Sequence, residues 1–188
     1  MKKFLYLILL SLLLCSCSDD EKINFHGSDI TKAKINGNFN LIDQNGIERE
    51  LADFNGDVVA IFFGFTNCPD VCPTTLIELK EIYKKIDSGK FQVLFVTLDP
   101  ERDSKEVLKE YLSSFDKAFI GLTGSSENIV KMAQQYKVYR EKVREGERYT
   151  IDHGSAIYLI DQLGAVRLRY PYGFKIEGII EDIRKLID

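Results

Sequence analysis

Residues 58–73 read VVAIFFGFTNCPDVCP, and the fold turns on how that stretch is taken. Its first eight residues form a continuous apolar run of strand length, rich in β-branched and aromatic side chains. Such a run suits a central strand buried on both faces. It leads directly into Cys68, Pro69, Cys72 and Pro73, after which Leu76, Leu79, Tyr83 and Ile86 recur at helical spacing until Ser88-Gly89 closes the segment. A buried strand, a cysteine-bearing loop and a helix are therefore expected in that order.

Toward the C-terminus the same alternation returns. Residues 91–98 read as a second buried strand, and Asp103 and Glu106 have the spacing of a capping box for a helix carrying Val107, Leu108, Tyr111, Leu112 and Phe115. Residues 118–122 read as a short strand, 126–136 as a helix, 155–161 and 165–170 as a hairpin, and 175–187 as a final helix. Toward the N-terminus, runs 39–43 and 47–51 flank Gln44-Asn45-Gly46, a strong signal for a tight β-hairpin. Strands alternating with helices imply parallel crossovers, so the fold class is an α/β sandwich with a central mixed sheet, flanking helices and an added N-terminal hairpin. The domain is expected to span residues 35–188.

Composition agrees with one folded body. The chain has 188 residues, 45% hydrophobic and 29% charged, which leaves neither a disordered chain nor a repeat array as a plausible class. A body of ~150 residues buries roughly 70% of its unfolded surface and needs no disulfide or structural metal as a staple. The net charge is -4; without Lys2 and Lys3 of the leader, 23 basic residues face 29 acidic ones, or -6. That balance argues against nucleic acid as a partner.

The leader, residues 1–16, joins a basic start to an apolar run from Phe4 to Leu14, the two parts of a secretory signal. Eleven residues cannot cross a ~30 Å hydrocarbon core at ~1.5 Å per residue. Leu14-Cys15-Ser16-Cys17 resembles the lipobox of bacterial lipoproteins, with Cys17, preceded by a small residue, as the lipidated position. A free signal peptide with accidental cysteines is the alternative. Lipidation places the mature protein on the bacterial cell envelope, its domain facing an oxidising, extracytoplasmic (periplasmic) space. Residues 17–34 are polar, lack apolar periodicity and read as a tether; His26 within it reads as solvated.

Cys68 and Cys72 sit at the carboxyl end of the most hydrophobic strand and at a helix entry, where open α/β sheets place their ligand sites. The unpaired N–H groups and positive dipole end of a helix start favour thiolate over thiol. If the segment is helical, a four-residue separation puts both sulfurs on one face with a rise of ~6 Å, close enough for a disulfide or for one shared metal ion. A structural disulfide is the blander possibility, but closing so short a loop restrains the unfolded chain by only ~2 kcal/mol, so the pair reads as functional. His153, expected in the loop before strand 155–161, converges on the same end of the sheet as a third donor. Two thiolates and one imidazole suit Cu(I); zinc competes, with Asp70, Asp152 or water completing its coordination.

These residues resemble the Sco/SenC family of copper chaperones of cytochrome c oxidase assembly over about 150 residues. Gly64-Phe65-Thr66-Asn67-Cys68-Pro69-Asp70-Val71-Cys72-Pro73 is similar to the family's CxxxC segment, Leu98-Asp99-Pro100-Glu101-Arg102-Asp103 to its DPERD segment, Ile120-Gly121-Leu122-Thr123-Gly124 to a further stretch, and Asp152-His153 to its distal histidine motif. The resemblance implies a thioredoxin-like fold. It also implies one copper per chain, Cu(I) with Cu(II) as a further state, on Cys68, Cys72 and His153. Delivery would be to the dinuclear copper site on the copper-bearing subunit of cytochrome c oxidase. Other copper carriers, a thioredoxin-like reductant and the membrane are further expected partners. Thioredoxins put a proline near the position that Asp152-His153-Gly154 occupies here, and the prolines of this chain are Pro69, Pro73, Pro100 and Pro171. That favours metal binding over general disulfide exchange. The competing enzyme readings are a thiol–disulfide reductase acting on the oxidase's copper-ligand cysteines, with Cys68 and Cys72 as its redox pair, and a thiol peroxidase.

Overall fold

A computed structural model describes residues 23–86 and 88–188. The expected signal peptide, the expected lipidation position Cys17 and the first part of the expected tether lie outside the described residues.

Strand β1 (Ser28–Asp29) is followed by β2 (Asn40–Asp43), β3 (Glu48–Glu50), β4 (Val58–Gly64), helix α1 (Val71–Ile86), β5 (Phe91–Thr97), α2 (Lys105–Ser113), β6 (Ile120–Thr123), α3 (Ser126–Gln135), β7 (Arg140–Glu145), β8 (Arg148–His153), β9 (Ile157–Ile160), β10 (Val166–Tyr170) and α4 (Ile176–Ile187). Eight strands form one mixed sheet in the order β1-β10-β9-β4-β5-β6-β2-β3, while β7 and β8 pair only with each other. Strands β4, β5 and β6 are parallel; β9 runs antiparallel to β4. The expected mixed sheet, flanking helices and N-terminal hairpin are all present. Gly46 closes that hairpin at φ 81°, a left-handed value that glycine adopts without penalty.

Every residue of β4 is buried. Its alternation survives even without a polar face: Val59, Ile61 and Phe63 pack with Ile129 and Met132 of α3, whereas Val58, Ala60 and Phe62 pack with Leu76 and Leu79 of α1 and with Ile179 and Ile183 of α4. Apart from Ala60, each such side chain stabilises the fold by roughly 1.5–3 kcal/mol. The pillar that carries the cysteines is thus the best-buried element of the sheet.

Three local expectations change. The domain was expected to start near Ile35, but Ser28 and Asp29 pair with Arg169 and Leu168 of β10, so residues 28–34 belong to the folded body. His26 is not merely solvated: its ring nitrogen lies 2.8 Å from Glu181, and its main-chain N–H donates to the buried Asp182 carboxylate. Gly27 N–H and Tyr170 O–H donate to that same carboxylate and complete a polar lock on the N-terminal segment. Helix α2 is capped one residue later than expected, by Ser104, whose hydroxyl accepts from Val107 N–H. Asp103 turns inward instead, because two threonines compete for it.

Candidate metal centre

Gly64 ends β4, and residues 65–70 turn the chain into α1. The turn is fixed by Asp103, a fully buried residue whose carboxylate accepts from Thr66 N–H at 3.0 Å, from Thr66 O–H, and from Thr97 O–H at 2.6 Å. Burial pushes the Asp103 carboxyl upward, opposed by those three donors. Helix α1 starts at Val71, so Cys72 lies in its first turn and Cys68 just ahead of it. Pro73, in the first turn, forfeits only an N–H that would have no partner within the helix.

The Cys72 N–H, one of the unpaired donors of that first turn, points at Cys68 Sγ at 3.4 Å. Cys68 is partly exposed and Cys72 fully buried, and both are free thiols. The hydrogen bond with Cys72, helped by main-chain donors against the cost of burial, holds the Cys68 thiol far below its ordinary range, down to about 3. The same bond, together with burial, pushes the Cys72 thiol up. One sulfur of the pair is therefore a thiolate and its neighbour holds the proton. The sequence leads to reactive sulfur at this place; the structure divides the roles.

His153 was expected in a loop, but it is the last residue of β8, paired with Arg140. Its Nε2 lies 3.7 Å from Cys72 Sγ, and its Nδ1 lies 3.0 Å from the Gly154 carbonyl oxygen. A carbonyl only accepts, so Nδ1 carries the proton and the Nε2 lone pair faces the sulfurs. The Phe65 ring meets the imidazole edge-on at 5.7 Å. Ligand atoms of Cys68, Cys72 and His153 all lie within 4.8 Å of one another. Among the described residues this is the only cluster of three or more such donors able to hold a metal ion, and it includes neither Asp70 nor Asp152. It opens to solvent through a shallow cavity of about 190 Å³ lined by Phe65, Cys68, Pro69, Val71 and His153.

Two further features were not read from the sequence. Gly64 stands where a Cβ would lie 2.8 Å from Cys72 Sγ and 2.8 Å from the Phe95 ring, so glycine leaves the space the sulfur occupies. Asp99 and Arg102, quoted only as part of a motif, are tied to Tyr149 of the β7–β8 hairpin. Gly64 was visible in the sequence as a glycine within an apolar run; nothing in the sequence joins Arg102 to Tyr149.

The family model described as SCO1/SenC matches residues 27–188. The chain belongs to the SCO1/SenC family. A SCO2-like protein from Rickettsia felis is 41% identical over 159 residues, which cover 82% of this chain and 76% of that protein. The structure of Bradyrhizobium japonicum ScoI with copper bound has a TM-score of 0.74 at 38% identity, covering 80% of this chain and 98% of that one. A SCO1/SenC family lipoprotein from Bacillus anthracis str. Ames has a TM-score of 0.72 at 30% identity, covering 80% and 94%. BsSco, a member of the Sco family of cytochrome c oxidase assembly proteins in which a disulfide switch has been identified, has a TM-score of 0.66 at 26% identity, covering 80% and 91%. The SCO1/SenC match begins at Gly27, one residue before β1, in keeping with the earlier domain start.

Proposed function

We propose that this chain is a copper carrier of cytochrome c oxidase assembly that holds one Cu(I) on the sulfurs of Cys68 and Cys72 and on Nε2 of His153. The observation that carries the reading is the convergence of those three soft donors within 4.8 Å at the carboxyl end of β4. Two thiolates and one imidazole match the preference of Cu(I) for soft ligands, and the cluster lacks the fourth protein donor that a closed zinc site takes. The copper-bound Bradyrhizobium relative and the assembly role given for BsSco support the same conclusion.

The residues divide the work. Cys68, already a thiolate and partly exposed, makes the first contact with incoming copper. Cys72 then gives up its proton as its sulfur binds, because a metal ligand must be deprotonated. His153 offers its lone pair without losing a proton, held in the right tautomer by Gly154. Oxidation of this thiolate–thiol pair to a disulfide by an external oxidant removes two electrons and one proton and leaves no thiolate for the metal, so the pair also forms an off state.

Lipidation at Cys17 would tether the domain to the membrane of the cell envelope, facing the extracytoplasmic space. The lipobox-like sequence supports it, and a lipoprotein is among the relatives. No described helix is long and apolar enough to cross a membrane. The expected recipient is the copper-bearing subunit of the oxidase.

The deciding experiment titrates the reduced mature protein with Cu(I) against a competing chelator, alongside Cys68→Ser, Cys72→Ser and His153→Ala. One copper per chain, with affinity lost in every variant, is expected; unchanged affinity in all three contradicts the site. The Cys68 thiolate beside a proton-bearing Cys72 also favours a thiol–disulfide reductase as a second reading. Catalytic turnover of a protein disulfide by the metal-free form would support that role, and a single stoichiometric exchange would count against it.

A further inference from the structure

The hairpin β7–β8 brings His153 to the sulfurs, yet its ladder is its own and does not extend the main sheet. Of its described side chains only Ile151 is buried, so apolar packing gives it little grip on the body. Its polar grip is concentrated on one turn, residues 98–102, after β5. Arg102 bonds the Asp99 carboxylate and donates to the Tyr149 carbonyl oxygen at 3.1 Å, while its guanidinium lies 3.8 Å from the Tyr149 ring centroid. Tyr149 O–H donates to Asp99 at 2.9 Å. Lys142 lies 3.9 Å from the same centroid and reaches Glu101 at 2.8 Å, and Arg140 donates to the Leu98 carbonyl oxygen at 2.8 Å. Arg102 also sits 5.9 Å from the ring of Phe65, the residue that meets His153 edge-on.

We infer that Asp99, Arg102 and Tyr149 form a clamp that positions His153: they set where the hairpin sits, and so how well the imidazole reaches a copper ion held by the two cysteines. The inference rests on the copper reading above. It follows from where the forces act. Cys72 is placed by α1 and Cys68 by the turn that Asp103 holds, to neither of which the side chains of Asp99, Arg102 and Tyr149 hydrogen-bond, whereas His153 lies four residues beyond Tyr149 on the same strand. A planar guanidinium can stack on a ring and fork to a carboxylate and a carbonyl at once, and an ammonium cannot. Arg102→Lys therefore keeps the charge and loosens the clamp, while Tyr149→Phe keeps the ring and removes only the bond to Asp99. Neither residue contacts copper; both act through His153.

The test is a double-mutant cycle on the reduced full-length protein. Arg102→Lys and Tyr149→Phe are each made alone and together with His153→Ala, and Cu(I) affinity is read by competition with a chromogenic chelator. Arg102→Lys should weaken binding by a few-fold, short of the roughly tenfold lost with the imidazole itself, and Tyr149→Phe by less. Neither should weaken it further once His153 is alanine. In the metal-free proteins, the proton NMR contact between the Phe65 and His153 rings should fade in Arg102→Lys, with the thermal midpoint recorded beside it. Equal losses with and without His153, or no loss in either variant, would overturn the inference while the ligand assignment stands. Equal affinity of the wild type and His153→Ala would overturn both. Should Arg102→Lys fail to fold, Tyr149→Phe decides by the same criteria.

Discussion

Strand β4 and the β7–β8 hairpin each bring part of the site into place, and they are held by different means. Strand β4 is paired on both sides, buried along its whole length and packed by helices on both faces. The hairpin is paired only with itself and mostly exposed, and it is fastened by a cluster of charged and aromatic side chains. Two of the three donors are therefore carried by elements anchored in the core, and the third, the imidazole, is set by contacts that small changes can alter. A carrier that must both grip and release its metal gains from that inequality, because a ligand on a separately fastened element can leave without unfolding the sheet.

The largest expected effect is in local stability. Amides of β4 should exchange only through global opening, while those of β7 and β8 open locally, so a gap of about a thousandfold in exchange rate, ~4 kcal/mol, is expected by hydrogen exchange. Equal protection of the two regions would erase the contrast. Next come the two sulfurs proposed as ligands: Cys68→Ser and Cys72→Ser should each weaken Cu(I) binding by more than ~100-fold, beyond the range for residues that merely orient a ligand. His153→Ala should cost less, on the order of tenfold, because the two thiolates remain in place. A histidine effect larger than either cysteine effect would reverse the ranking.

Gly64→Ala probes the tight packing beneath the sulfur. The added methyl meets Cys72 Sγ and the Phe95 ring at 2.8 Å, and overpacking of this kind destabilises by ~1–3 kcal/mol, readable as a lowered thermal midpoint. The smallest effect is a near-absence of change. With its pKa near 3, Cys68 stays a thiolate throughout pH 5–8, so its alkylation rate should vary by less than about twofold where an ordinary thiol slows roughly tenfold per pH unit. The sign follows from the depressed value: the stability contributed by the thiolate is complete above the ordinary thiol range, declines progressively as pH falls below that range, and is gone once pH has passed through about 3. A steep fall in the rate between pH 8 and 6 would remove the division of roles between the two sulfurs.

Much of this was legible in the sequence because it rests on local pattern. The apolar run at 58–65, the helical spacing after Pro73 and the Asn45-Gly46 turn all became the elements they suggested. The donors Cys68, Cys72 and His153 do meet. The hairpin 140–153 escaped notice because REKVRE carries no apolar alternation: its strands are stabilised by each other and by side chains far along the chain. Ser28 and Asp29 make a two-residue edge strand that exists only because β10 offers a partner. Asp103 matched a cap by spacing, but Thr66 and Thr97 claim its carboxylate from elsewhere in the fold, which leaves the cap to Ser104. The clamp joins residues 47 apart in sequence, a distance that no periodicity reports.

X-ray absorption at the copper edge of the reduced protein, loaded with one equivalent of Cu(I), addresses the coordination itself. Two sulfur neighbours and one imidazole nitrogen are expected, with the nitrogen absent in His153→Ala and one sulfur lost in either cysteine variant. Copper bound by the wild type without a nitrogen neighbour, or by sites unaffected in all three variants, would contradict the copper centre described above.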